Sequence, residues 1–166
     1  MKKLLLSLVI VMVTGFVHSQ DYKYHSVFIY NFTKYIQWPS SYQSGDFVIG
    51  VFGNSDVIPH LEKMASVKTV GTQKMVVKKF TDVNEINKCH ILFIPDQKSG
   101  QFDDISSSLN GKPTLVITEK DGLGKKGSSI NFIIVGGRYK FELNEEVIAN
   151  SKLKVSGELA KLAILI

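Results

Sequence analysis

The residues of this chain whose types suit chemistry are four histidines, one cysteine, a few clustered acids and one run of spaced glycines. Gly122, Gly124 and Gly127 fit G-x-G-x-x-G, the fingerprint that cradles a dinucleotide pyrophosphate at a helix N-terminus. That chemistry needs a strand before the glycines and a helix after them. TLVIT precedes them, but Gly127 leads into INFIIV, a β-branched and aromatic run without helical period, and no acid follows where a ribose would need one. The glycines read as a loop that turns one strand into the next. His25, His60 and His90 lack the i, i+4 or Cys-pair spacings of a zinc site. Cys89 and His90 are neighbours in a strand-like run, so they point to opposite faces and make no dyad. Glu142 with Glu145 or Glu146 imitates a carboxylate pair, yet one falls on a strand and the others open a helix, where acids are expected anyway. No G-x-S-x-G elbow occurs. The reading is a protein that is not an enzyme and needs no cofactor or metal.

Length and charge bound the rest. A chain of 166 residues has room for one domain with a proper core. Lys2 and Lys3 precede the apolar run LLLSLVIVMVTGF and then VHSQ, the pattern of a secretory signal peptide with small residues before the cut. The run falls short of the ~20 apolar residues that a membrane span needs. Residues 1–19 are therefore expected to be a signal peptide cleaved between Ser19 and Gln20, leaving 20–166 as a single exported domain. The formal charge is +5, and beyond Lys2 and Lys3 the lysines are dispersed, with only Lys78-Lys79 and Lys125-Lys126 adjacent. That is a solvated surface without the footprint of a nucleic-acid binder. Cys89 stands alone, so no internal disulfide forms, and its place before HILFI predicts a buried, inert thiol.

The elements that must position these residues alternate. Tyr22 to Gln37 carries a helical pattern with a wide aromatic face of Tyr24, Val27, Phe28, Phe32, Tyr35 and Ile36, opposite a stripe of Lys23, Ser26, Tyr30, Thr33, Lys34 and Gln37. Asn31 falls within the apolar face and would need internal hydrogen bonds. Trp38-Pro39 ends the helix. FVIGVFG (47–53), KMVVKKF (74–80), HILFIP (90–95) and TLVIT (114–118) read as strands, the third as central, with helical segments at 57–65, 81–87 and 100–109. INFIIV (130–135) and RYKFEL (138–143) flank Gly136-Gly137, a strong hairpin signal. Asn144 and Ser156 cap two final helices, and the second is expected to bury Leu159, Leu162, Ala163 and Ile166. The fold class is α/β: a three-layer α/β sandwich with a mixed, mostly parallel sheet ending in a β-hairpin.

Several stretches taken in order resemble the YfiR family. YNFTKYIQWP (30–39) is similar to its opening helix, and the likeness continues through FVIGVFG, CHILFI, GKPTLVITEKDG, GSSINF, GGRYKFELN and LKVSGELAKLAIL. The resemblance implies a periplasmic α/β sandwich, a homodimer, that restrains a membrane-bound diguanylate cyclase by binding its sensor domain. It implies relief by an outer-membrane, peptidoglycan-binding lipoprotein. Asn31, Trp38, Pro39, Gly127, Asn131, Phe132, Arg138, Phe141, Glu142 and Asn144 occupy the matching positions. Asn131 and Asn144 are expected to satisfy backbone ends, and Arg138 to pair with Glu142. The sharper reading makes Trp38, Pro39, Arg138 and Glu142 a partner or ligand surface. The well-known members carry disulfide-forming cysteines, and this chain has only Cys89. The alternative is a sensor domain that seats an aromatic or hydrophobic metabolite between the 24–38 helix and the sheet, without a cyclase partner.

Overall fold

The computed structural model describes residues 22–166; the expected signal peptide and its cleavage site lie outside the described residues. Helix α1 (Tyr22–Tyr35) leads into a two-residue strand, β1 (Ile36–Gln37), and a short turn. There follow β2 (Phe47–Phe52), α2 (Val57–Ala65), β3 (Thr69–Val70), β4 (Gln73–Phe80), β5 (Ile91–Ile94), α3 (Phe102–Ser108) and β6 (Leu115–Thr118). The hairpin β7 (Ile130–Val135) and β8 (Arg138–Leu143) precedes α4 (Glu145–Asn150), β9 (Lys154–Val155), α5 (Gly157–Leu162) and β10 (Ile164–Leu165).

Eight strands form one sheet in the order β10-β8-β7-β6-β5-β2-β4-β3, and β1 pairs with β9 apart from it. Pairings are parallel from β4 through β2, β5 and β6 to β7, antiparallel within the hairpin, and parallel again from β8 to β10. This is the expected mixed, mostly parallel sandwich. The central strands are apolar on both faces because both are covered. Ile91 and Phe93 of β5 join Ile29 and Phe32 of α1, Leu61 of α2, Ile148 of α4 and Leu159 of α5 in one core. Leu92 and Ile94 turn the other way to meet Phe102 and Ile105 of α3. Gly136 and Gly137 both adopt positive φ, 58° and 73°, as a two-residue hairpin connection requires. Asn144 and Ser156 cap α4 and α5, accepting from the Val147 and Leu159 amides at 3.0 and 3.3 Å.

Three expectations change. Helix α1 stops at Tyr35, because Ile36-Gln37 pair with Lys154-Val155 and the Tyr35 carbonyl accepts from Ser156. Its buried side is His25, Ser26, Ile29, Phe32 and Thr33, while Tyr24 and Val27 are half exposed. Ser26 and Thr33 can be buried because their hydroxyls bond to the Lys23 and Tyr30 carbonyls one turn back, at 2.8 and 2.7 Å. At the far end, α5 ends at Leu162, and Ile164-Leu165 become an edge strand beside Glu142-Leu143. Leu162 is 68% exposed, so the last residues are not a buried helical face.

Candidate partner groove

Strand alternation divides the signature residues between two sides of the hairpin. Phe132 and Phe141 form a cross-strand pair facing α1, and Asn131 and Glu142, the next pair, face away from it. On the α1 side, Phe32 lies 5.1 Å from Phe141 and 6.0 Å from Phe132, and Phe28 lies about as close to both rings. Phe28, Phe32 and Phe141 floor a groove of about 350 Å³ between α1, β8 and α5, walled by Asn31, Tyr35, Tyr139, Lys140, Leu159 and Leu162. Tyr24 extends the aromatic surface, its ring 5.5 Å from Tyr139, and Tyr139 is paired across the hairpin with Ile134, itself half exposed. Leu162, Ile164, Leu165 and Ile166 continue the apolar surface along the sheet edge. Asn31 sits at the groove wall, where its amide oxygen accepts from Lys34 at 3.1 Å, and not in the interior.

On the opposite side runs a buried polar chain. Thr118 Oγ1 donates to Asn131 Oδ1 at 2.7 Å, and Asn131 Nδ2 donates to Glu142 Oε2 at 2.9 Å. Asn131 thus bonds side chains and satisfies no backbone end. Gly124 lies against this chain: a Cβ there would come 2.5 Å from Glu142 Oε2 and 2.7 Å from Ile166 Cδ1. That close approach, with Gly127 at φ 113° just before Ser128 and β7, is what the spaced glycines serve. No helix begins at Gly127. Glu142 takes its partner from Asn131 and not from Arg138, which stands four residues away on the same strand, ~13 Å along it, exposed beside the hairpin turn.

Trp38 is 5% exposed; its indole N–H donates to the His90 carbonyl at 3.2 Å and its ring meets Phe47 edge-on. The indole fills the core, and Pro39 opens the short turn Ser40–Tyr42 beside it. Neither approaches the groove, and Arg138, although next to Tyr139, falls on the Glu142 side of β8, away from it. His90 is fully buried: Nδ1 accepts the Val48 amide at 3.0 Å and Nε2 donates to the Tyr42 carbonyl at 2.8 Å, which fixes a neutral tautomer. Burial holds this ring below the ordinary imidazole range. Cys89 turns to the other face as expected, bonding the Ile91 carbonyl at 2.9 Å, and burial pushes its thiol up to about 12.

The sequence reading passed over one cluster. At the carboxyl end of the parallel strands, Glu119 Oε1 accepts from the Tyr22 hydroxyl at 3.2 Å and the Asp96 amide at 3.0 Å, and Oε2 lies 3.4 Å from His25 Nε2. Both side chains are buried, and burial, with Asp96 adding its charge, raises the Glu119 carboxyl to about 7. Among the described residues no group of His, Cys, Asp and Glu is placed to hold a metal ion, and no helix is long and apolar enough to cross a membrane.

No curated protein matches the chain. A family model does, the one described as YfiR/HmsC-like, over residues 22–164, nearly the whole described fold and every element that builds the groove. The chain belongs to the YfiR/HmsC-like family, a family of regulators.

Proposed function

We propose that this protein is an exported, periplasmic regulator that binds and restrains the sensor domain of a membrane-bound diguanylate cyclase or a related signalling protein. The observation that carries the reading is the aromatic groove with its exposed apolar rim. Large exposed apolar surface is uncommon on a protein that works alone, and aromatic side chains in a desolvated groove anchor interfaces disproportionately. Family membership and the basic-then-apolar N-terminal sequence support the compartment. Regulation follows as population shift: the groove holds the inhibited sensor conformation more tightly than the active one. A peptidoglycan-binding lipoprotein of the outer membrane relieves the restraint by competing for the protein. The uncharged edge strand Ile164–Leu165, outside the groove, is the face offered to a second copy in a homodimer. Spheroplasts carrying the cyclase test the reading. Adding the purified protein lowers cyclic di-GMP output, and an unchanged output over a saturating range contradicts it.

A second reading draws on the groove volume. About 350 Å³ is within the range that seats a small aromatic metabolite. Such a ligand raises the melting temperature of the isolated protein, with no cyclase needed.

A further inference from the structure

A polar cavity lies at the amino ends of β6 and β7, where the last turns of α3 and α4 come together. Its volume is about 380 Å³, and it shares no lining residue with the aromatic groove. The side chains around it are of one kind. Ser106 and Ser107 come from α3, Asn110 from the turn after it, and Ser129 from the residue before β7; Asn150 ends α4 and Ser151 follows it. Among the described residues, none that lines the cavity carries a charged or aromatic side chain. Leu109, Val116 and Val147 supply small apolar patches between the polar groups.

These polar groups are uncommitted. Neighbouring hydroxyls bond to nearby carbonyls: Ser108, on the same helix, donates to the Ile105 carbonyl at 2.8 Å, and Thr114 to the Cys89 carbonyl at 2.7 Å. Among the described residues, the side chains of Ser106, Ser107, Asn110, Asn150 and Ser151 make no hydrogen bond to a protein group. Ser129 is fully buried, and its oxygen accepts from the Val116 amide at 3.2 Å, which leaves its hydroxyl hydrogen for another acceptor. A buried donor without an acceptor is costly, and a ligand oxygen in the cavity would satisfy it.

We propose that this cavity binds a neutral polyhydroxy ligand, a sugar ring of about hexose size. The volume lies within the range of small-molecule sites. A sugar hydroxyl is donor and acceptor at once, and so are the serine and asparagine side chains that surround it. Both helices present their C-terminal ends, where carbonyl oxygens outnumber their donors and the local potential is negative. That field favours O–H donors and opposes a phosphate or a carboxylate. It does not suffice for a full cation, because an ammonium stripped of water needs a counter-charge and no carboxylate lines the cavity. An aromatic metabolite finds no ring here to stack on. Ser107, Asn110 and Asn150 are exposed, so their bonds to a ligand compete with bonds to water, and the affinity is expected to be roughly millimolar.

The test is a ¹⁵N NMR titration of the free protein with glucose, N-acetylglucosamine and the disaccharide of N-acetylglucosamine, beside a hexose phosphate, a uronic acid and ethanolamine. The neutral sugars should give saturable shifts at the amides of residues 106–111 and 147–151, with those of residues 28–35 and 139–141 unmoved. The hexose phosphate and the uronic acid should bind about three- to tenfold more weakly. Tighter binding of the disaccharide than of its monomer identifies the end of a glycan chain as the source, and equal binding identifies the free sugar; the ligand class holds in both. Asn150→Ala removes one exposed amide and should weaken sugar binding about three- to tenfold at an unchanged melting temperature. Ser106→Leu fills the cavity with a better helix former and should abolish binding. Should Ser106→Leu fail to fold, the wild-type titration and Asn150→Ala decide the question. The proposal is overturned by the lack of a saturable shift with any neutral sugar, or by equal or tighter binding of the phosphate, the uronic acid or ethanolamine. Shifts centred on the groove, or an Asn150→Ala protein that binds sugar as the wild type does, overturn it too. The site is measured without any signalling partner, so it can fail while the partner reading stands, and the reverse.

Discussion

The Thr118–Asn131–Glu142 chain makes a quantitative prediction about whether Asn131 serves the fold or a surface. Replacing Thr118 with Val keeps the shape and removes the hydroxyl, which leaves Asn131 Oδ1, fully buried, without the donor now 2.7 Å away. An orphaned buried acceptor costs about 1–3 kcal/mol, so T118V is expected to lose about 2. Replacing Asn131 with Leu breaks the bond to Glu142, but Glu142 is only half buried and water takes the vacated place. Thr118 meanwhile turns to Ser128 Oγ, 2.9 Å away, so N131L costs about 1–2 kcal/mol. In the double variant the orphan no longer exists, and the two introduced apolar side chains face each other across the β6–β7 pairing. Its cost should lie close to that of N131L alone, which sets the coupling energy at the whole cost of T118V, about 2 kcal/mol. Urea unfolding of the four proteins measures it, and each kcal/mol also appears as roughly 2–4 °C in melting temperature for a domain of this size. Additivity within about 0.5 kcal/mol would refute the reasoning, because it would mean that the two side chains do not depend on each other.

Other expectations follow from single sites. His90 is held neutral in the fold, so the unfolded chain binds a proton that the folded chain refuses. Stability is full above roughly pH 6.5 and falls as pH drops from there through the lowered folded value; His90→Gln should flatten that slope in urea midpoints taken between pH 5 and 8. Gly50→Ala places a Cβ 2.6 Å from Phe80 Cε2 and 2.9 Å from both Cys89 Sγ and Leu92 Cδ1, and should cost about 1–3 kcal/mol in thermal melts, since all three neighbours are packed core atoms. The Cys89 thiol, buried and raised to about 12, should resist iodoacetamide in the native protein and react once urea unfolds it; fast native labelling would place it at the surface.

Much of this fold was legible because its strands are short apolar runs covered on both faces, a signal that depends on composition alone. Gly136-Gly137 gave the hairpin and Asn144 and Ser156 gave their caps, since each device acts within a few residues. The orientation of α1 was not legible. A helix that carries aromatics nearly all round has no single apolar stripe, and the side it buries includes Ser26 and Thr33, whose hydroxyls are satisfied by the helix's own carbonyls. The end of the chain misled for a related reason: Leu159 to Ile166 has helical spacing, but after Leu162 the carbonyl of Leu143 offers the Ile166 amide a sheet partner. The groove lies where a ligand seat between the first helix and the sheet was expected, yet its Tyr139 and Leu162 walls were not named, because only folding brings them to Phe28. Trp38 drew attention as a surface anchor on residue type, and the His90 carbonyl claims its indole N–H inside the core. The Glu119–His25 pair left no sequence signal at all, since neither residue has a neighbour in the chain that marks it.

The central claim is that the aromatic groove and its rim exist to be covered by a signalling partner. Its most direct test is the dissociation constant of the wild-type protein and of Leu162→Asp for the periplasmic sensor domain of a membrane diguanylate cyclase from the same cell. Leu162 is 68% exposed, so the substitution should leave the melting temperature within a degree or two, while losing its burial on binding costs about 1–2 kcal/mol, close to tenfold in affinity. A folded variant that binds as tightly as the wild type, or a wild type that does not bind the sensor domain at all, would contradict the account.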